Sequence, residues 1–192
     1  MTRFSDLVRP AAGTALISEW HTGTAERSLA AADAVMMEER AAARTPTGRL
    51  AQHVFLSTDG RGLLFYAQWT SDEDHLAWAR AHRTGTVSRI DTLVPGVERP
   101  GPVRTRLADS VVHDAERPTG LFVVTTLAAE AAEAAVAPAP GLLAAHVHLT
   151  SDGEQVKVVA EWADIAAHKA AAREKADCRR YTLLRAFDDN RR

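Results

Sequence analysis

Leu50–Arg80 reads LAQHVFLSTDGRGLLFYAQWTSDEDHLAWAR, and Leu143–Arg173 reads LAAHVHLTSDGEQVKVVAEWADIAAHKAAAR. The two stretches align without a gap at a constant offset of 93 positions, which pairs His53 with His146, Asp59 with Asp152, Trp69 with Trp162, His75 with His168 and Arg80 with Arg173. So many identities in one register read as a duplicated unit, and a duplication governs every later inference about the fold.

Each block has the same grammar. Alternating residues from Ala51 to Leu56 run into Asp59-Gly60, a dipeptide suited to a hairpin turn. A second strand follows from Leu63 to Trp69. A helix then starts near Asp72, with Ser71 as N-cap and Asp74 three residues on in a variant of the capping box. Upstream lie further strands, Thr14 to His21 in the first copy and Gly120 to Leu127 in the second. A helix from about Ala25 to Ala43 follows the first of these, with Ala25, Leu29, Ala32 and Met36 spaced along one face. The second copy has only a stub there, Ala128 to Ala137, stopped by Pro138 and Pro140. Closing strands are expected near Val103 to Val112 and Arg180 to Phe187.

The order β-α-β-β-α-β therefore occurs twice, which is the ferredoxin-like split unit. The expected fold class is α+β, with two tandem ferredoxin-like units forming an intramolecular pseudo-dimeric α+β barrel. The expected domains are 14–113 and 119–188, the second with a shortened first helix, linked by His113 to Gly120. An antiparallel sheet covered by helices on one face needs a partner for its other face, and a tandem copy supplies it. The Pro/Gly-rich loop Pro95 to Pro102 is expected to wrap over a neighbouring surface.

Composition narrows the function. The 192 residues are 46% hydrophobic and 25% charged with a net charge of −2, so no basic surplus calls for nucleic acid or an anionic membrane. Cys178 is the only cysteine, which leaves no intramolecular disulfide and no thiolate zinc cluster. Met1 to Gly13 carries Arg3, Asp6 and Arg9 and lacks the apolar core of a secretory signal. No uncharged apolar run approaches the roughly 20 residues of a membrane span, and a cytoplasmic location is the expectation. Neither G-x-G-x-x-G nor a P-loop occurs, so no nucleotide cofactor is indicated; G-x-S-x-G is missing as well. His146 and His148 could share a strand face as metal ligands, but Phe55 stands at the position matching His148 and no third ligand is evident, so no metal is expected. Arg104 and Arg106 fit a solvated strand edge, and Asp164 to Ala176 an amphipathic helix.

The residues with chemistry cluster in the first copy. Alternation puts Leu63, Phe65, Ala67 and Trp69 on one side of their strand. On the next helix His75, Trp78, Ala79 and His82 fall at i, i+3, i+4 and i+7, a core-facing stripe with two imidazoles and an indole in place of leucines. Together with Trp69 it would line an aromatic pocket carrying a few polar atoms. In the second copy Ala171 and Lys175 replace Trp78 and His82, so one competent site is expected, in the N-terminal half.

The stretch Leu63 to Arg80, LLFYAQWTSDEDHLAWAR, resembles the antibiotic biosynthesis monooxygenase family in its strand ending in tryptophan, its acidic helix start and its histidine-bearing helix. VKVVAEWADIAAHKAAAR is a thinner version of the same signature. The resemblance implies a dimeric α+β barrel and, for the best-known members, oxidation of anthrone-type polyketides by dioxygen without metal, flavin or haem. It also implies that Trp69 matches the family tryptophan at the end of the third strand. His75 sits earlier on its helix than the family's usual histidine. The Asn-Trp-His set of the haem-degrading relatives is incomplete, since Ser18 and Trp20 occupy the inward positions of the first strand.

The resulting expectation is a cofactor-independent monooxygenase with Trp69, His75 and His82 catalytic and Trp20, His53, Phe55, Phe65 and Trp78 lining the substrate site. Dioxygen would be the co-substrate. A non-catalytic ligand-binding protein and a polyketide cyclase are the alternatives on the same fold. The expected partners are a small aromatic substrate, the internal pseudo-dimer and, through free sheet edges, a further homodimer.

Overall fold

The computed structural model describes residues 7–42, 45–171 and 178–188. In chain order the elements are β1 (Thr14–His21), α1 (Ala25–Ala41), β2 (Arg49–Ser57), β3 (Gly62–Trp69), α2 (Asp72–Trp78) and α3 (Thr84–Leu93), then β4 (Pro102–Val112), β5 (Leu121–Ala128), α4 (Ala132–Ala135), β6 (Leu142–Thr150), β7 (Gln155–Trp162), α5 (Ile165–Ala171) and β8 (Cys178–Asp188). A π-helical turn, Ala79–Arg83, joins α2 to α3, and a 3-10 turn, Ala129–Ala131, leads into α4. The protein is thus α+β, with antiparallel sheet and covering helices. The chain divides into two compact units, Ala11–Val103 with the residues from Leu184, and Arg104–Leu183 with the segment up to Pro10.

In the first unit the strand order is β1–β3–β2, with Thr14 opposite Trp69 and His53 opposite Tyr66. Helix α1 is capped by Thr24, whose hydroxyl accepts from the Arg27 amide at 3.3 Å. Its buried face is Ser28, Ala31, Ala32, Ala34 and Val35, which shares only Ala32 with the face read from the sequence; Leu29 is 45% exposed. Small residues won over large ones because they let the helix lie close on the sheet. Ser28 is tolerated there since its hydroxyl donates to the Gly60 carbonyl at 2.7 Å and bonds Thr22. The core beneath comprises Val54, Leu63, Phe65 and Ile90, with Leu184 and Phe187 packed against it. The loop after α3 closes over this unit: Val97 is buried, Glu98 bridges to His21, and the Arg99 guanidinium stacks 4.2 Å above the Trp20 ring.

In the second unit the order is β8–β5–β7–β6–β4. Strand β4 pairs with β6, Ser110 opposite His146, and β8 pairs with β5, Tyr181 opposite Phe122. Leu121, Val147, Val158 and Trp162 form its core with the short α4 and α5 on top. The part of the expected helix beyond Ala171 lies outside the described residues.

Details recur at the 93-residue offset. Gly48 and Gly141 have φ of 81° and 82°, and Gly60 and Gly153 have 73° and 77°. The register slips between Arg49 and Ala51 and again 93 residues on, between Leu142 and Ala144. Ser71 accepts from the Asp74 amide at 3.1 Å as the N-cap of α2, while Asp164 accepts from the Ala167 amide at 2.8 Å in the matching position.

Candidate active site

The site is built in the first unit, between β1 and β3 on one side and α1 and α2–α3 on the other. Trp69 ends β3 pointing to the helix side and is 2% exposed. His75, 7% exposed, meets it edge to face, with ring centroids 5.2 Å apart and planes at 74°. Trp78 lies 5.7 Å from Trp69 and 6.3 Å from His75. Trp20 and Phe65 pack at 4.4 Å on the neighbouring strands. These rings bound a cavity of about 150 Å³ that also touches Leu16, Ala67 and Ile90 and opens to one side. The Trp69 indole N–H is buried with no hydrogen-bond partner among the described residues, a donor beside the cavity.

Of the residues expected from sequence, the fold brings Trp20, Phe65, Trp69, His75 and Trp78 to the cavity. His53 and Phe55 do not join them. Strand alternation after the bulge at Leu50 sends Ala51, His53 and Phe55 to the opposite face, where the His53 ring lies 6.0 Å from Tyr66 and 6.1 Å from Phe55. His82 is exposed. The π-turn at Ala79–Arg83 inserts an extra residue into the helical stripe, so the progression runs His75, Trp78, Arg83, Thr86, Val87, Ile90 along the cavity wall. His82 touches only the outer side of Trp78, centroids 6.4 Å apart. Arg83 takes the place that unbroken α-helical spacing gave to His82.

Charged groups missed in the sequence ring the opening. The bulge re-aims Arg49, which is buried and grips Glu39 of α1 through two bonds of 2.7 Å. Gln52 accepts from Arg49 at 3.3 Å beside it. Glu38 takes both nitrogens of Arg89, whose hydrogen bonds hold its carboxyl below the usual range. Arg99 is held by Asp91 at 2.6 Å. The local signals for this set were faint, since no periodicity marks a bulge.

The second unit holds a related arrangement. His168 meets Trp162 edge to face at 5.0 Å and 84°. Burial, and then Arg180 donating to its Nδ1 at 3.0 Å, lower its pKa. A buried polar series sits on the opposite face of that sheet: Ser110 Oγ lies 2.9 Å from His146 Nδ1, His146 Nε2 3.0 Å from Glu161, and the Thr119 hydroxyl donates to the other carboxylate oxygen. This series ties β4, β6 and β7 together with its polar atoms satisfied. Gln68 stands 93 positions before Glu161 in the first unit. Among the described residues no group of three or more His, Cys, Asp or Glu is placed to hold a metal ion. No helix among them is long and apolar enough to cross a membrane.

Known structures share this fold over nearly the whole chain. An anthrone oxidase-like protein superposes with a TM-score of 0.69 at 17% identity, covering 92% of this chain and 93% of the other. A putative monooxygenase from Fusobacterium nucleatum gives 0.60 at 10% identity, with 92% and 95% covered. A chlorite dismutase mutant from Candidatus Nitrospira defluvii gives 0.54 at 10% identity, with 96% of each chain covered. At such identities the likeness is one of fold. No protein of curated function matches the sequence. One match is made on sequence: residues 123–181, from within β5 to within β8, fit the family model of the antibiotic biosynthesis monooxygenases, the family that Leu63–Arg80 resembles.

Proposed function

We propose that the protein is a cofactor-independent monooxygenase that oxidises an aromatic, polyketide-like (anthrone-type) substrate with dioxygen. The observation that carries this reading is the cavity walled by Trp20, Phe65, Trp69 and Trp78, with the buried His75 and an unpartnered indole N–H at Trp69. Flat apolar walls hold a flat ring and exclude water, and a donor in a dry site stabilises a phenolate strongly. The stoichiometry is a methylene plus dioxygen giving a carbonyl plus water. His75 takes a proton from the methylene. The resulting anion passes one electron to dioxygen, the radicals combine to a peroxide, and loss of water leaves the ketone. Arg83 at the rim offers a cation to the phenolate oxygen.

The same reading takes the two units as a duplicated pair, an internal pseudo-dimer with one working site, acting on a small molecule without nucleic acid or membrane. The test is oxygen uptake by metal-free protein with dithranol against a no-enzyme control. Uptake with carbonyl formation is expected, falling about tenfold or more in Trp69→Phe and His75→Ala. Binding without uptake would replace the oxygenase by a binding protein or a cyclase, and unchanged turnover in both variants would remove their assigned roles.

A further inference from the structure

The cavity and the space beside it differ sharply in size. The inner space, about 150 Å³, is that of an apolar cavity that admits a single benzene ring. Three fused rings do not fit inside it. Next to it lies a groove of about 950 Å³, bordered by the end of α1, the Thr45–Thr47 segment and α2. Its walls mix apolar surface from Ala41, Ala42, Pro46 and Trp78 with the polar Glu38, Asp74, His82 and Arg89. The two spaces share Glu38, Glu39, Trp78 and Thr86. Trp78 is thus a common wall, with Trp69 on its inner side and His82 on its outer side.

We infer that the substrate binds end-on across Trp78, with one terminal aromatic ring in the inner cavity and the remaining rings and their polar substituents along the outer groove. This rests on the proposed function for the identity of the site, and it names the ligand class: a linear multi-ring phenol or aryl ketone carrying hydroxyls or a comparable polar extension at its far end. A linear ring system presents the cross-section of one ring end-on, which the inner cavity accepts. A single-ring phenol satisfies the inner cavity alone and forgoes the groove. The groove adds carboxylate, imidazole and guanidinium groups to apolar walls, so polar substituents on the outer rings bind there beyond what a bare hydrocarbon gains.

Two walls can be altered separately. Ala67 lines only the cavity, whereas Ala77 lines only the groove and is exposed. Dissociation constants for resorcinol (one ring) and dithranol (three rings) are measured by quenching of tryptophan fluorescence. Wild-type protein is expected to hold dithranol about tenfold or more tighter than resorcinol. Ala77→Arg and Ala77→Glu, long side chains of opposite charge, should both weaken dithranol about tenfold while leaving resorcinol within about twofold. Ala67→Leu should weaken both ligands. Dithranol affinity unchanged in both Ala77 variants would overturn the inference, even if oxygen uptake were intact. The expected pattern without oxygen uptake would uphold the binding mode and fail the oxygenase reading.

Discussion

His148 offers a sharp test of the energetics. It is fully buried on β6, and burial, followed by the neighbouring His146, lowers its pKa from 6.5 to about 3. The unfolded chain therefore binds a proton below pH 6.5 that the folded chain refuses until about pH 3. In that window the unfolded state holds more protons, so stability falls as pH falls. At about 1.4 kcal/mol per pH unit, the whole shift is worth up to about 5 kcal/mol, of which about 3 is lost between pH 7.5 and 4.5. Phe55, 93 positions earlier on a strand of the first unit, is 1% exposed, so a buried phenylalanine is the natural replacement to try in His148→Phe. Urea unfolding of both proteins at half-unit steps from pH 7.5 to 4.5 gives the comparison. The absolute stability of the variant depends on how the larger ring packs, but the slope does not. His168, whose pKa is also lowered, and the carboxylates titrate in both proteins and cancel in the difference. The variant should lose about 3 kcal/mol less than the wild type over that range. Parallel curves would refute the reasoning.

Two further expectations follow from single contacts. Glu39→Gln leaves the buried Arg49 cation without its bidentate partner, so unfolding free energy should drop by about 3 kcal/mol. A fall below about 1 kcal/mol in urea melts would mean that solvent reaches the pair. Gly141→Ala places a methyl group at a φ of 82° and 2.5 Å from the Ala167 side chain, and thermal unfolding should register a loss of at least about 1–2 kcal/mol. An unchanged melting temperature would show that α5 shifts freely.

The alternating stretches and turn dipeptides were legible because they are local. β1 runs Thr14–His21 as its sequence pattern indicates, and Ser71 caps α2 through the Asp74 amide. Trp69, His75 and Trp78 meet because strand and helix periodicities each act over only a few residues. What escaped was every feature that depends on an extra residue or a distant strand. A bulge at Leu50 moved His53 and Phe55 to the far face and brought Arg49 inward; a π-turn removed His82 and supplied Arg83. The α1 face was misjudged because hydrophobicity favoured Leu29 and Met36 where close approach favoured Ser28 and Ala31. Ser110 joined His146 only through the pairing of β4 with β6, which no local pattern announces.

The π-turn also has a bearing on how this site could diversify. A helix that uses one more residue per turn at Ala79–Arg83 holds an insertion frozen in its backbone. Rewinding that turn to regular pitch without losing a residue would rotate everything after it by about 100° relative to His75 and Trp78. An imidazole would then stand at the mouth where a permanent cation now does. The reagent presented to a bound ring is thus set by helical pitch as much as by side-chain identity, so a relative of equal length whose helix keeps regular pitch here would present an imidazole in place of a guanidinium without any substitution in the cavity.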